Sequence, residues 1–322
     1  MIGTANGLAV SITGLGSRVP ERVLTNDELS TMMDTSDEWI IERTGIHERR
    51  IAGPEETLSD LALPAAGEAL EDAGLKGSDL DLVIVATVTP DMAFPATAAI
   101  IADELGAHDA GAYDLSAGCT GFMYAVAQAY GMLAGGLAQR ALVVGGDVLS
   151  KILDWSDRRT AVLFGDGAGA VVMERVGGGG FLGFELGADG SGGRELYLPT
   201  GGKVQMNGRE VFKFATRVLV SSAEAVLAEC GRTVDEVDVY VPHQANVRII
   251  DYATNKLGIP DDRVVIDVDR YGNTSSGSIP LALADAKADG RLAAGRLVLM
   301  TGMGAGLTWG SGLIEWTDGG ST

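Results

Sequence analysis

The feature that most constrains this chain is that its second half repeats the order of its first. Asp79-Leu80-Asp81-Leu82-Val83 starts a strand, followed by a loop and a helix ending at Leu105-Gly106; Asp235-Glu236-Val237-Asp238-Val239 starts another, with its helix ending at Leu257-Gly258. Each series continues with a strand carrying an aspartate, Tyr113-Asp114-Leu115 and Ile266-Asp267-Val268. Each then enters a small-residue turn, Ser116-Ala117-Gly118-Cys119 and Gly272-Asn273-Thr274-Ser275. Leu142-Val143-Val144-Gly145 and Leu297-Val298-Leu299-Met300 complete the set. The two series stay in step roughly 150 residues apart, the size of one ordinary domain. Matched features in one order favour duplication over chance likeness between α/β segments. The boundary falls near Arg175-Val176-Gly177, where a glycine run begins, and divides the chain into residues 1–175 and 176–322.

Apolar runs such as Leu82 to Ala86, Ala141 to Val144 and Arg296 to Met300 read as buried strands, and Leu61 to Ala73 and Ile279 to Ala288 as helices between them. The alternation predicts an α/β fold with largely parallel sheets. A net charge of -20 repels phosphate backbones and argues against nucleic acid as a partner. Two cysteines make no disulfide framework and fit a reducing compartment. No Lys or Arg precedes Arg18, a poor signal peptide, and no apolar run approaches the roughly 20 residues that span a bilayer. The expectation is a soluble cytoplasmic protein with no membrane partner.

Equivalent loops of two such halves converge at strand ends near a pseudo-two-fold axis. Cys119 follows a strand and a tight Ser-Ala-Gly turn, and the apolar run from Gly121 to Ala127 reads as a buried helix. Unpaired amides and the helix dipole at that N-terminus favour the thiolate, so Cys119 is the candidate nucleophile. Cys230, at a helix end, reads as structural. Of the three histidines, His47 reads as a solvated residue between charged neighbours and His108 as a loop residue; only His243 leaves a buried strand. No second His or Cys lies at ligand spacing, so no metal is expected. Asn273, in a turn that tolerates it for conformational reasons alone, becomes a polar donor when set beside Cys119 and His243. Gly165-Asp166-Gly167-Ala168-Gly169 lacks the phosphate-loop lysine and reads as close strand packing. Thr35 and Glu38 have capping-box spacing, and Trp39 and Arg43 fall on one face of the helix that follows.

These stretches together resemble β-ketoacyl-acyl-carrier-protein synthase III, a thiolase-fold condensing enzyme. The carriers of the likeness are Asp34 to Ile40, Arg43 to Ile46, Ala117 to Phe122, Phe164 to Ala170, His243-Gln244-Ala245-Asn246 and Gly272 to Ser275, in order over almost the whole chain. The resemblance implies a thiolase-like α/β fold of duplicated halves in an α-β-α-β-α layering. It implies a Cys-His-Asn set: Cys119 takes an acyl group from acyl-CoA, and a malonyl thioester on acyl carrier protein then loses carbon dioxide and attacks it. His243 and Asn273 would donate to the developing thioester oxyanion, and a second oxyanion site would use the Cys119 amide with Gly304 or Ala305. The usual run of three glycines after a Phe is here Met303-Gly304-Ala305-Gly306; Ala305 adds only a methyl if its φ is negative. By the same resemblance Trp39 and Arg158 would sandwich the CoA adenine, with Arg159 a possible substitute for Arg158. Arg43 and Asn246 would lie near the nucleotide arm. Phe94 would reach a second copy's acyl pocket in a homodimer. No cofactor is implied beyond acyl-CoA as a substrate.

An acidic carrier meeting a chain at -20 needs a local basic patch. Arg209, Lys213 and Arg217 fall at i, i+4 and i+8 on one face, and Arg248 and Lys256 lie on the helix after His243, which makes them the expected docking residues. A polyketide starter synthase, a same-fold acyltransferase making no carbon–carbon bond, and a non-catalytic scaffold subunit are the other readings left open.

Overall fold

The computed structural model describes residues 9–317; residues 1–8 and 318–322, the outer ends of the two expected halves, lie outside the described residues. Five strands form one sheet in the spatial order Ala9–Arg18, Gly167–Val176, Arg140–Asp147, Leu82–Ala86, Gly111–Leu115. Four form a second in the order Gly180–Ala188, Thr308–Glu315, Leu297–Gly304, Val239–Pro242. Read position by position, the second sheet repeats the first without its last strand.

Two expectations are corrected here. The sheets are mixed, not largely parallel. Leu82–Ala86 pairs parallel with both neighbours, and Val239–Pro242 pairs parallel with Leu297–Gly304, but every other junction in the two sheets is antiparallel. The link from Leu297–Gly304 to Thr308–Glu315 spans residues 305–307, too short for the crossover a parallel neighbour requires. The predicted strand at Ile266-Asp267-Val268 is also absent; only Val264 bridges Tyr240. The buried Gln244 side chain replaces the ladder. Its Nε2 donates to the carbonyls of Pro242 (2.8 Å) and Val265 (3.0 Å), and its Oε1 accepts from the amides of Asp267 (3.0 Å) and Val268 (3.3 Å).

Strand residues alternate between two cores. Leu82, Ile84 and Ala86 face a central layer in which helices Gly121–Ala134 and Ser278–Ala288 lie between the sheets. Val83 and Val85 face helices Leu58–Ala73 and Thr97–Glu104 on the outside. Helices Gly208–Glu229 and Val247–Leu257 cover the outer face of the second sheet. The result is the expected α-β-α-β-α layering.

Glycine lets the halves meet. A Cβ at Gly145 would sit 2.3 Å from the Ser276 carbonyl oxygen, and one at Gly165 would sit 2.1 Å from that of Tyr271. The Gly165 to Gly169 run is therefore close packing, as its composition suggested. Among the described residues no helix is long and apolar enough to cross a membrane.

Candidate active site

Cys119 sits just before Thr120, which precedes the buried first residues, Gly121 to Met123, of helix Gly121–Ala134. Gly118, with φ 58°, turns the chain into it. A Cβ on Gly304 would lie 2.7 Å from the Cys119 nitrogen, and one on Gly118 3.0 Å from the nitrogen and oxygen of Ala305. The Cys119 turn and the Gly304–Ala305 corner thus pack backbone to backbone. Ala305 has no positive φ, so the methyl that interrupts the glycine run costs nothing. Met303 is buried with Phe214 and Ile249. Thr308 Oγ1 ties the two segments, reaching the carbonyls of Ala117 (3.0 Å) and Ala305 (2.8 Å).

Two cavities meet at Cys119. One, of about 700 Å³, has a largely apolar wall that includes Val88, Met92, Leu115, Leu149, Ile152 and Val204. The other, of about 260 Å³, holds His243 and Asn273 at its floor with Met303 and Gly304, and opens past Trp39, Arg43, Arg158 and Asn246. Phe164 and Leu196 line both. The three residues read from separate stretches of sequence are therefore brought to one chamber.

At Cys119 burial works against the helix N-terminus. Burial pushes its thiol up to about 11; a hydrogen bond with the Ser275 side chain opposes this, and the Asp147 carboxylate adds to it. The apolar layers around the helix start withhold solvation from a thiolate, against the pull of the helix N-terminus. Burial likewise drives His243 down to about 3, so its ring is neutral. The His243 Nδ1 lies 2.6 Å from Ser278 Oγ. Asn273 Oδ1 accepts the Ser275 amide at 2.8 Å, which leaves the Nδ2 donors for the cavity. Ser275 holds a left-handed φ of 55°, the one non-glycine residue among those described to do so. In the sequence reading Ser275 is only part of the small-residue turn, and Ser278, three residues beyond it, is missed.

At the cavity mouth, the guanidinium carbons of Arg43 and Arg158 lie 4.7 and 5.0 Å from the Trp39 ring centre. Arg158 is also held by Asp34, through its carbonyl and its carboxylate. Arg159 also lines the cavity and is paired with Asp157 (2.8 Å). The helix carrying Trp39 is capped by Ser36, whose side chain accepts the Trp39 amide, and not by Thr35, whose hydroxyl is buried without a partner. Ser36 stands three residues before that amide, the reach a side-chain oxygen needs. Asn246 caps the helix Val247–Leu257 and donates to the Arg43 carbonyl at 3.0 Å. His47 and His108 are exposed as expected, but Arg49, beside His47, is fully buried on the carbonyls of Leu24 and Val162 and on Asn26. Phe94 is 85% exposed and lies outside the linings of these two cavities. Arg209, Lys213, Arg217, Arg248 and Lys256 are all exposed, and the Arg248 guanidinium lies 5.6 Å from the ring of Phe212, a residue of the cavity mouth. No cluster of His, Cys, Asp or Glu that could hold a metal ion occurs among the described residues.

Residues 113–190 match the family model for 3-oxoacyl-[acyl-carrier-protein] synthase III, and residues 227–316 match the model for its C-terminal part. The β-ketoacyl-[acyl-carrier-protein] synthase III of Desulfitobacterium hafniense (strain Y51) is 50% identical, over 97% of this chain and 99% of its own. The crystal structure of 3-oxoacyl-[acyl-carrier-protein] synthase III from Aquifex aeolicus VF5 superposes with a TM-score of 0.94 at 46% identity, covering 96% of this chain and 100% of that one. The priming β-ketosynthase of the R1128 polyketide pathway superposes with a TM-score of 0.91 at 38% identity, covering 95% of this chain and 96% of that one.

Proposed function

The chain belongs to the 3-oxoacyl-[acyl-carrier-protein] synthase III family, and from that membership and the geometry of the two cavities we propose how its own residues perform the family's reaction. It is an acyltransferase that starts fatty-acid synthesis: an acyl-CoA primer condenses with malonyl-acyl-carrier protein, with loss of carbon dioxide, to give 3-oxoacyl-carrier protein. No resident cofactor takes part; acyl-CoA enters as substrate.

The position of Cys119 between the cavities carries the reading. The Cys119 sulfur attacks the primer thioester, the CoA sulfur leaves with the thiol proton, and the acyl chain lies in the larger apolar cavity. The oxyanion formed during transfer is held by the Cys119 amide and by the Gly304–Ala305 corner packed on it. The malonyl thioester then occupies the smaller cavity. Breaking its carboxylate carbon–carbon bond releases carbon dioxide and places negative charge on the thioester oxygen, where the N–H groups of His243 and Asn273 receive it. The enolate carbon attacks acyl-Cys119, the tetrahedral adduct expels the sulfur, and one proton returns it to the thiol.

In this reading Trp39, Arg43, Arg158 and Asn246 receive the nucleotide arm of CoA. The flat indole and the guanidinium groups at the cavity mouth suit a purine once Arg158 swings off Trp39. The five exposed cations receive the acidic carrier, with Arg248 over Phe212 at the same mouth. Phe94, with the exposed Met92 and Leu198 at the rim of the larger cavity, meets a second copy in a cytoplasmic homodimer. Residues 1–175 and 176–322 are then the two halves of one duplicated unit, the first bearing the nucleophile and the second the two donors.

Intact mass after incubation with a panel of acyl-CoA primers tests the assignment. The expected result is one acyl increment on Cys119, absent in Cys119→Ala, followed by carbon dioxide release when malonyl-carrier is added. Acyl transfer with no release would favour an acyltransferase without condensation, and no acyl increment at all a scaffold.

A further inference from the structure

Ser278 opens the helix Ser278–Ala288 and lies beneath His243; each residue is 1% exposed. Its Oγ is 2.6 Å from His243 Nδ1 and 3.3 Å from the Gln244 amide nitrogen, which donates to it. A hydroxyl carries one proton and two lone pairs, and a neutral imidazole one N–H and one acceptor nitrogen. If His243 carried its proton on Nδ1, Ser278 Oγ would accept twice. Its own proton would then face no acceptor, since Oγ has no third partner among the described residues, and a buried unpaired donor is costly. If the proton is on Nε2, every group is satisfied: Gln244 N–H donates to Oγ, and Ser278 O–H donates to Nδ1.

We infer that Ser278 is a positioning residue that fixes His243 as its Nε2–H tautomer, and so makes the ring a hydrogen-bond donor, not a base, at the thioester oxygen. The inference rests on the reading of His243 given above. Asn273 is oriented in a parallel way, because the Ser275 amide takes its oxygen and leaves its nitrogen free to donate. One short serine run of the second half thereby aims both donors into the cavity. Burial excludes the imidazolium as a rival source of the N–H, since His243 is pushed down to about 3.

The test separates the half-reactions. In Ser278→Ala, carbon dioxide release by pre-acylated enzyme should fall roughly 10- to 100-fold, while the rate of Cys119 acylation by acyl-CoA stays within about threefold. Ser278→Thr, which keeps the hydroxyl, should recover most of the loss. An equal fall in both half-reactions, or no fall in either, would overturn the inference. Nitrogen-15 NMR of histidine-labelled wild-type protein reads the tautomer without any turnover, with the His243 signals assigned by their absence in His243→Asn. A protonated Nε2 with a bare Nδ1 is expected. A protonated Nδ1 would refute the role of Ser278 even if condensation proceeds, whereas failure of wild-type acylation would instead refute the functional reading.

Discussion

Burial acts on the Cys119 thiol against the helix N-terminus, and the balance sets how its reactivity varies with pH. With the thiol pushed up to about 11, the thiolate fraction rises across the whole neutral and alkaline range. Alkylation of free Cys119 by iodoacetamide, followed by peptide mass to separate it from Cys230, should speed up about tenfold per pH unit from 7 to 10. A plateau at or below pH 8 would restore the thiolate that the helix position alone suggested. His243 makes the opposite kind of prediction, about stability. Its folded value of about 3 lies below the ordinary imidazole value of about 6.5, so between the two the unfolded chain binds a proton that the folded chain refuses. This contribution is complete above the unfolded value and is lost as pH falls toward the folded one. Between pH 6 and 4 wild type should therefore lose stability more steeply than His243→Asn, by about 1.4 kcal/mol per pH unit in urea titrations. Equal slopes would mean that the ring is not desolvated. The place of Cys119 at the start of a buried helix was legible from its strand, turn and apolar run. The burial that opposes its ionisation was not, because the residues around its cavities lie far apart in sequence.

At the scale of elements, the two aspartates that the repeat places in register have diverged. Asp114 ends a true strand and accepts the amides of Thr97 and Ala98 at the start of their helix, each at 2.8 Å. Asp267 ends no strand. Its Oδ2 is buried without a partner, and burial, with Asp285 nearby, holds its carboxyl well above the ordinary range. Period and composition cannot distinguish the two, since both stretches read Asp between apolar residues. What replaces the strand is one side-chain amide, Gln244, which the sequence showed only as the neighbour of His243. Gln244→Leu should cost about 2–4 kcal/mol in urea unfolding, since the amides of Asp267 and Val268 and the carbonyl of Val265 lose a buried partner. A loss below about 0.5 kcal/mol would mean that the segment is held by other means. The Gly304–Ala305 corner shows the reverse case, where the sequence sufficed: only glycine fits at 304, where a Cβ would press on the Cys119 nitrogen, and a negative φ admits alanine next to it.

For the whole molecule, the repeat read along the chain reappears as a repeat in the strand order of the two sheets, without the strand expected at Ile266 to Val268. The cavities were not legible, since each is walled by residues far apart in sequence; the larger joins Thr87 to Thr308. Nor was the antiparallel return of the outer strands, which depends on how short the connecting corners are. Charge acts at this scale too. A chain at -20 repels an acidic carrier unless exposed cations such as Arg209, Lys213, Arg217, Arg248 and Lys256 outweigh that charge locally. Arg248→Glu should raise KM for malonyl-carrier about tenfold, and added salt should narrow the gap from wild type. An unchanged KM would remove Arg248 from the docking surface.

The central claim is a division of labour at one sulfur: Cys119 holds the primer while His243 and Asn273 act on the incoming malonyl thioester. The most direct measurement is a single turnover in which enzyme already carrying the primer is mixed with carboxyl-labelled malonyl-carrier and the released carbon dioxide is followed. His243→Ala and Asn273→Ala should both acylate on Cys119 yet release carbon dioxide about 100-fold more slowly than wild type. Release at the wild-type rate from either acylated variant would contradict the account.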